Sequence, residues 1–362
     1  MSDANKQPCR NCGAELAFSP AEQLLKCPYC GTANAIQVAG DPSRAHAEKD
    51  FATAIAEARA FTSTETVIVS KCTGCAAEVD LPSNVSTDEC PFCGQAITRQ
   101  DAEAELFKPQ GMLPFGLAKD DASARFRKWA KSRWFAPGEL KRMANSHDGM
   151  KGVYLPHWTF DADTVTHYRG ERGDNYTEWY TARDSDGKTV RRSRTRTRWR
   201  RVAGWVQDRF DDVLVCASQS LPRHYVEKLE PWDLTALVPI DPRYLAGFRT
   251  ERYQIDLEAA FEEAAEEMRK VIDRSIRQDI GGDQQRIHDR ETKYRSITFK
   301  HLLLPVWASA YRFKGKVYRF VINARTGEVQ GERPWSSFKI SLAVLAGLIV
   351  LGTIVYFTAE RV

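Results

Sequence analysis

The clearest hydrophobic pattern in the chain lies at residues 256–278, where apolar side chains recur every three or four positions. This period is typical of an amphipathic helix with one buried face. Asp256 suits the N-cap, and the early glutamates and late arginines of the segment suit the helix dipole. Gly281 and Gly282 then end the predicted helix, because glycine readily adopts the backbone conformation that follows a helix.

A β-hairpin is predicted from two polar segments, 176–182 and 189–199, which flank a turn at 184–188. The Asp-Gly step at 186–187 suits a hairpin turn with positive φ. Further strands are predicted from Val153 onward. The sequence Leu-Pro-x-Trp occurs at 155–158 and again at 304–307, each time a few tens of residues after a helical segment. The larger part of the chain is therefore predicted to be α+β, with the hypothesis that it is duplicated.

The C-terminal pattern differs again, because no residue from Ile340 to Phe357 is charged. A run of this length and composition predicts a single transmembrane helix at 338–358, since a bilayer crossing takes about 17–25 apolar residues. Lys339 and Arg333 precede the run, which by the positive-inside tendency places most of the chain in the cytosol. The predicted location is the cytoplasmic membrane, single-pass. A buried core helix is the alternative interpretation.

Composition allows two or three domains, because 362 residues with 43% hydrophobic content can bury a sizeable core. The formal net charge is only +4, from 52 basic and 48 acidic residues. Binding to nucleic acid or anionic lipid must therefore depend on local clusters of charge.

Eight of the nine cysteines form four Cys-x-x-Cys pairs, and the spacings of the first two pairs recur in the last two. Zinc prefers four tetrahedral ligands, so two such pairs can enclose one ion. The predicted ligand sets are Cys9, Cys12, Cys27 and Cys30, and Cys72, Cys75, Cys90 and Cys93. A complete thiolate set indicates two structural Zn²⁺ ions, because a catalytic zinc keeps one position open. Each ribbon is too small to fold without its metal.

Three other uses of cysteine are less favoured. A disulfide framework is unexpected, because the polar N-terminus lacks the apolar stretch of a signal peptide. A thioredoxin-like redox pair would need a surrounding βαβ pattern. Cys216 lies in an apolar run at 213–217 and is interpreted as a small core residue rather than a nucleophile.

The predicted fold class is α+β, with two small rubredoxin-like zinc ribbons, a larger mixed region and the C-terminal transmembrane helix. The boundaries are zinc ribbon 1 at 1–38, a helical spacer at 39–66, zinc ribbon 2 at 67–99, the α+β domain at 100–335 and the membrane helix at 338–358.

Residues 191–201 are unusually basic and read Arg-Arg-Ser-Arg-Thr-Arg-Thr-Arg-Trp-Arg-Arg. On a strand, alternate side chains share one face, so Arg194, Arg196, Arg198 and Arg200 would form a cationic row. Guanidinium groups pair well with phosphates, which makes these four arginines candidates for binding nucleic acid or anionic lipid. The alternative is pairing with neighbouring acids such as Glu178, Asp184 and Asp186, or protection of an edge strand.

Several motifs together resemble a bacterial family of zinc-ribbon membrane proteins, often labelled TFIIB-type zinc-ribbon proteins or, by transfer, primosomal protein N′ (replication factor Y) helicases. They are the Cys-Pro-x-Cys-Gly knuckles at 27–31 and 90–94 and the segments 210–215, 279–283, 304–307 and 326–334. The resemblance implies zinc binding by the eight cysteines. Ala76 departs from the family pattern by replacing the glycine of one knuckle, so that turn is expected to be less regular.

The same resemblance implies partnership with flotillin-type and phage-shock-type envelope stress proteins. The helicase label would imply an ATPase, but the chain has no Gly-x-x-x-x-Gly-Lys-Ser/Thr loop to hold nucleotide phosphates.

No catalytic constellation is recognisable, because the seven histidines are scattered without a characteristic spacing. The chain is therefore predicted not to be an enzyme. The leading hypothesis is a membrane-anchored zinc-ribbon adaptor that presents a cytosolic surface to protein partners. The alternative is a membrane-tethered nucleic-acid-binding protein that uses its zinc ribbons and its arginine-rich strand.

Overall fold

The computed structural model describes residues 8–36, 41–60, 66–80, 88–103, 107–137, 149–185, 187–313 and 315–359. Within them the α-helices are α1 (Phe51–Ala60), α2 (Lys119–Ser132), α3 (Arg223–Val226), α4 (Pro242–Leu245), α5 (Leu257–Ile280) and α6 (Ser337–Ala359). The first eight strands are β1 (Ala17–Ser19), β2 (Leu24–Lys26), β3 (Ala33–Asn34), β4 (Lys49–Asp50), β5 (Thr66–Cys72), β6 (Glu78–Asp80), β7 (Asp88–Glu89) and β8 (Ala96–Glu103). The others are β9 (Gly111–Met112), β10 (Lys151–Arg183), β11 (Thr189–Cys216), β12 (Val238–Pro239), β13 (Arg249–Glu251), β14 (Gln284–Phe313), β15 (Lys316–Asn323) and β16 (Val329–Gly331).

Three long antiparallel strands, β14, β10 and β11, form the centre of the molecule. Strands β10 and β11 are joined by the predicted Asp-Gly turn and pair from Arg183 opposite Thr189 to His157 opposite Cys216. Gly187 has φ +74°, as that turn requires. Asp186 lies outside the described residues. The hairpin prediction is confirmed, and its strands are much longer than the sequence pattern indicated.

Both Leu-Pro-x-Trp motifs lie in this central ladder, where Leu155 is opposite Leu304 and Pro156 is opposite Leu303. Each motif follows a helix along the chain, because α2 precedes β10 and α5 precedes β14. Whether the two halves arose by duplication stays a prediction.

Helix α5 packs against the central strands and confirms the helix predicted at 256–278. Asp256 is its N-cap, because its Oδ1 accepts a hydrogen bond from Ala259 N at 2.8 Å. Its buried side chains form one stripe: Leu257, Ala260, Ala264, Met268, Ile272, Ile276 and Ile280. Gly281 ends the helix with φ +63°. The apolar period of the sequence therefore identified the face that covers the sheet.

The spacer between the two cysteine groups differs from the predicted single helix. It contains a 3-10 turn at Pro42–His46, then β4, then α1. Lys49 and Asp50 pair with Phe299 and Thr298 of β14, so the spacer contributes a short strand to the large sheet. Backbone pairing with a distant strand interrupted the helix, and the local sequence pattern could not reveal that pairing.

The C-terminal segment is helical, as α6, but the prediction that it spans a membrane is wrong. A crossing helix needs about 20 predominantly apolar residues. Within the ranges that the structure describes, no helix combines the length and the apolar character that a bilayer crossing demands. This finding contradicts three predictions: the transmembrane helix at 338–358, the membrane anchor and the single-pass cytoplasmic-membrane location. The uncharged run correctly predicted a helix and did not establish a crossing.

Candidate metal centres and arginine ribbon

Each predicted set of four cysteines converges in space, with all four sulfur atoms within 4.8 Å of one another. In the first set, Cys9 Sγ lies 3.5 Å from Cys30 Sγ, and Cys12 Sγ lies 3.5 Å from Cys27 Sγ. The second set has corresponding Sγ–Sγ distances of 3.3 Å and 3.5 Å. A tetrahedral zinc with Zn–S bonds of about 2.3 Å would separate its sulfurs by roughly 3.8 Å. The eight cysteines are therefore positioned to bind two structural zinc ions.

The four cysteine turns share one backbone geometry. In each, the amide of the first cysteine donates to a carbonyl five residues later, and its carbonyl accepts from the amide four residues later. In the turn that begins at Cys9, for example, Gly13 N donates to Cys9 O at 2.9 Å. The residue four positions after each first cysteine has positive φ: Gly13 +72°, Gly31 +74°, Ala76 +58° and Gly94 +71°.

Ala76 adopts the same left-handed conformation as the three glycines. Its amide donates to Cys72 O at 3.0 Å, so the turn is as regular as the other three. The expectation of a less regular turn at this position is wrong. Because a Cβ atom disfavours the left-handed region, the regular geometry here costs conformational free energy.

The two clusters occupy different surroundings. The first lies against the separate three-stranded sheet β1–β2–β3 and has two exposed ligands, Cys12 and Cys30. The second belongs to the large sheet, because β5 pairs with β6, and β6 pairs with β13 beside β10. Its side chains share a hydrophobic cluster with residues of the central strands. The first centre also packs on the core, because Cys9 and Cys27 share a hydrophobic cluster with Tyr154 and Trp307. The second centre is in addition joined to the large sheet by strand pairing.

In each cluster the pKa of at least one thiol is lowered, which favours the thiolate form that zinc requires. A hydrogen bond with the Thr32 hydroxyl, whose Oγ1 lies 3.1 Å from the sulfur, is the main cause that lowers the pKa of Cys30 to about 5. The hydrogen bond with Cys90 is the main cause that lowers the pKa of Cys75 to about 5.

Cys216, in β11, belongs to neither cysteine set, and burial raises the pKa of its thiol to about 12. A protonated thiol is a poor nucleophile, which supports the interpretation of Cys216 as a core residue.

The arginine-rich strand is the distal part of β11, and it faces the distal part of β10. Strand β14 reaches only to Gln284, opposite Gly173, so β10 and β11 continue beyond it as a two-stranded extension. We call residues 172–183 and 189–200 the arginine ribbon. Its length beyond β14 is about 30 Å, at roughly 3.3 Å per residue.

One face of the ribbon carries six arginines, two tyrosines and two acids. Five cross-strand pairs compose it: Arg172 with Arg200, Asp174 with Arg198, Tyr176 with Arg196, Glu178 with Arg194, and Tyr180 with Arg192. Cross-strand pairs lie on the same face of an antiparallel ladder. The predicted cationic row of Arg194, Arg196, Arg198 and Arg200 is exposed here and includes Arg172 and Arg192 as well.

Neighbouring side chains hold these arginines in place. Glu178 Oε2 lies 2.5 Å from Arg194 Nε and 2.7 Å from Arg196 Nε, so one carboxylate serves two guanidinium groups. The guanidinium carbons of Arg194 and Arg198 lie 5.0 Å and 5.3 Å from the ring centroids of Tyr180 and Tyr176. Pairing with acids is thus partial, and the face keeps an excess of positive charge.

Comparisons with known proteins give one relative. The chain is 26% identical over 334 residues to the uncharacterized protein YdjG of Bacillus subtilis (strain 168). The aligned region covers 92% of this chain and 91% of that protein. No protein-family model matches the chain. No solved structure matches it either. The resemblance to TFIIB-type zinc-ribbon proteins therefore stays a prediction.

A buried charged group was not anticipated from the sequence. The Lys300 side chain is 5% exposed, and its Nζ lies 2.7 Å from Asp212 Oδ1 and 3.2 Å from Glu48 Oε1. Asp161 completes the group, because its Oδ1 accepts a hydrogen bond from Asp212 N at 2.7 Å. Asp212 has φ +52°, which is uncommon for a residue with a Cβ atom. The neighbouring acid Asp211 is exposed and takes no part in this group, because adjacent strand residues face opposite sides of the sheet.

Proposed function

We propose that this protein is a non-enzymatic nucleic-acid-binding protein whose arginine ribbon contacts the phosphate backbone. The observation that carries the proposal is the projecting face of six arginines with two tyrosines between them. Phosphate contacts by arginine supply most of the affinity of non-specific nucleic-acid binding. The predicted likeness of the cysteine knuckles to TFIIB-type zinc ribbons is in keeping with this function.

The shape of the ribbon also supports the proposal. A two-stranded β-ribbon fits the major groove of B-DNA, which is about 12 Å wide. The guanidinium groups of Arg194 and Arg198 lie over tyrosine rings, which restricts their orientation before binding. Because fewer rotamers must then be frozen on binding, the entropic cost of each phosphate contact is reduced.

The experiment is a salt titration of binding by the full chain to a labelled 20-base-pair DNA, with a single-stranded RNA of equal length in parallel. We expect affinity to fall steeply with salt. The triple variant Arg194→Gln, Arg196→Gln and Arg198→Gln should reduce the slope of log affinity against log salt by up to about 3.

A matched control removes three exposed arginines from helix α5 instead: Arg269→Gln, Arg274→Gln and Arg277→Gln. It changes the net charge equally and should leave the slope within about 1 of the wild-type value. An equal loss in both triple variants would contradict a role for the ribbon. Binding to neither nucleic acid at low salt would contradict the whole proposal.

A protein-adaptor function is the second candidate, favoured by a group of exposed aromatic side chains. Trp134, Trp335 and Phe338 are 77%, 58% and 78% exposed. Hydrogen bonds join the two segments that carry them, because Ser336 N donates to Phe135 O at 2.8 Å and the side-chain Nζ of Lys339 donates to Ala136 O at 2.8 Å. Exposed tryptophans of this kind are typical of the residues that dominate protein interfaces.

This candidate is tested by affinity purification from cell extract with the full chain and with the double variant Trp134→Ala and Trp335→Ala. A reproducible protein partner should be lost with the double variant. The control is Trp205→Ala, which removes a tryptophan that is 56% exposed on β11. A partner retained by the double variant would place the interface elsewhere.

A further inference from the structure

The central sheet presents a second face, opposite helix α5. Side chains alternate along β10, so that Tyr168 is buried in the cluster that contains α5, whereas Asp163, His167 and Arg169 are exposed. We call this second side of the sheet the open face. It carries the odd-numbered residues of β10 from Asp163 to Arg183, together with the residues of β11 and β14 that lie opposite them. On the arginine ribbon it is therefore the side away from the six arginines.

Three tryptophans lie in line along the open face. Trp205 is opposite His167, Trp199 is opposite Gly173, and Trp179 follows Gly173 by six positions on β10. His167 precedes Gly173 by the same six positions, so successive tryptophans are about 20 Å apart, from a rise of roughly 3.3 Å per residue. Trp205 and Trp179 are 56% and 58% exposed. The open face therefore presents two solvent-accessible indole rings, with a third between them.

Planar groups already stack on two of these rings. The Trp199 ring lies against the backbone of Gly173, where an added Cβ atom would come within 2.9 Å of a ring carbon. The guanidinium carbon of Arg286 lies 3.9 Å from the centroid of the Trp199 ring, and that of Arg191 lies 4.8 Å from the centroid of the Trp179 ring. A nucleobase is also a planar group, and it stacks on indole rings and on guanidinium planes.

Positive charge surrounds the tryptophans. Arg201 lies on β11 between Trp199 and Trp205, and Arg169 lies diagonally from it on β10. Exposed guanidinium groups such as these pair well with phosphates. Between positions 169 and 181 of β10, the open face carries four arginines and two acids: Arg169, Arg191, Arg201 and Arg286, and Glu171 and Asp289. The excess of positive charge suits an anionic ligand that also offers planar groups.

We infer that the open face binds single-stranded nucleic acid, with unpaired bases stacked on Trp179 and Trp205 and phosphates at the neighbouring arginines. The inference rests on the proposed function, because it takes nucleic acid as the ligand, and it adds a second surface that selects unpaired strands. In a duplex each base is already stacked on its neighbours, so only an unpaired strand offers base faces to the indoles. Because every base has a π face, this surface should tolerate different sequences.

The test measures binding of the full chain to three labelled ligands at one salt concentration. They are a 20-base oligo-dT, an abasic strand of equal length, which has the phosphates without the bases, and the 20-base-pair DNA. Stacking on an aromatic side chain strengthens binding by a factor of about five or more per base. Oligo-dT should therefore bind more tightly than the abasic strand by at least this factor.

Two double variants locate the stacking. Trp179→Ala with Trp205→Ala should lose most of the preference for oligo-dT over the abasic strand, while its affinity for the duplex stays unchanged. Trp179→Phe with Trp205→Phe keeps an aromatic ring at both positions and should retain most of the preference. A merely structural role of the two tryptophans would change binding of all three ligands alike.

The matched control is Trp134→Ala with Trp335→Ala, which removes two tryptophans that are 77% and 58% exposed outside the central sheet. This variant should keep the wild-type preference for oligo-dT. Zinc content and melting temperature verify that each variant is folded.

Equal affinity of the wild-type chain for oligo-dT and for the abasic strand would overturn the inference. So would an undiminished preference for oligo-dT in the folded variant Trp179→Ala with Trp205→Ala. Failure of the proposed function is recognised separately, because the arginine triple variant acts on the salt dependence of binding, and the duplex and the abasic strand report that dependence without base stacking.

Discussion

Lys300 Nζ lies 2.7 Å from Asp212 Oδ1, and this ion pair joins the end of β11 to the centre of β14 in the interior. Glu48 and Asp161 belong to the same group. Burial and the hydrogen bond with Glu48 raise the pKa of Asp161 to about 6. Glu48 keeps its charge, because hydrogen bonds with Asp161, Thr298 and Lys300 outweigh its burial and lower its pKa to about 2. One buried lysine therefore compensates three acids that would otherwise repel one another.

Replacing this lysine should destabilise the fold. Lys300→Met removes the buried cation that faces three carboxylates, but Glu48 and Asp212 are 37% and 30% exposed, so water screens part of their repulsion and the expected loss is about 1–3 kcal/mol of the free energy of unfolding. The loss should be smaller at pH 5 than at pH 8, because protonation removes the uncompensated charge. Urea unfolding at both pH values measures it, with Lys293→Met, an exposed lysine of the same strand, as control. A loss below 1 kcal/mol at pH 8 would show that the ion pair contributes little.

The two zinc centres should contribute unequally to stability. Cys90→Ser removes a ligand from the centre that is joined to the large sheet, so we expect a loss of more than about 3 kcal/mol together with one of the two zinc ions. Cys12→Ser also removes one ion. Its centre packs on the core through Cys9 and Cys27, but its strands form a separate small sheet, so the expected loss is smaller. Metal analysis and urea unfolding measure both effects. Cys216→Ser should retain two ions, and a variant of Cys216 that loses zinc would contradict these ligand sets.

The left-handed Ala76 offers a stabilising substitution. Ala76→Gly relieves the conformational cost of φ +58°, with an expected gain of about 0.5–1 kcal/mol after the greater freedom of glycine in the unfolded chain is counted. The reverse change is available in the same centre, because Gly94 has φ +71° and no atom lies within 4 Å of an added Cβ. Gly94→Ala should therefore lose about 1 kcal/mol by conformation alone. Thermal unfolding of the zinc-loaded variants measures whether each change raises or lowers the stability. A destabilised Ala76→Gly variant would contradict the conformational cost assigned to Ala76.

Acid should destabilise the protein partly through His301. Burial lowers the pKa of this histidine to about 4, from about 6.5 in an unfolded chain. Between these values the unfolded chain binds the extra proton, so stability is lost as pH falls from 6.5 towards 4. The contribution of this one group is about 3 kcal/mol.

The measurement is the free energy of unfolding of wild type and His301→Gln from pH 7 to pH 4. The variant should lose less stability over this range than wild type does. His288→Gln changes an exposed histidine of the same strand and should keep the wild-type profile. Parallel profiles for wild type and His301→Gln would mean that His301 does not titrate as its burial requires.

Removing an acid from the arginine ribbon should strengthen nucleic-acid binding. Glu178 neutralises part of the charge of Arg194 and Arg196. Glu178→Gln frees both guanidinium groups, so affinity at low salt should rise severalfold and the salt dependence should steepen by up to about 1. The control is Glu258→Gln, which breaks an exposed ion pair between Glu258 and Arg59, two residues outside the ribbon. Weaker binding by Glu178→Gln would mean that the carboxylate positions the arginines instead of competing with phosphate.

Local sequence determined much of this structure. The spacing of Cys9, Cys12, Cys27 and Cys30, and its repetition at 72–93, was sufficient to predict both metal centres, because each knuckle is closed by hydrogen bonds between residues four or five positions apart. For the same reason the sequence predicted the N-cap at Asp256, the glycine after α5 and the turn at Gly187. In each case neighbouring residues supply the interactions that define the element.

Tertiary structure decided the rest. Glu48 and Lys300 are 252 positions apart in sequence, and the face of the ribbon depends on the register between β10 and β11. A cavity of about 680 Å³ is likewise lined by residues of β11, α5 and the segment between α3 and β12. Charged, polar and apolar groups from such distant segments act together only after the chain folds, because electrostatic and hydrogen-bond interactions depend on spatial distance and burial. Local composition alone was also insufficient at the C-terminus, where the absence of charge from 340 to 357 predicted the helix α6 correctly and a membrane crossing wrongly.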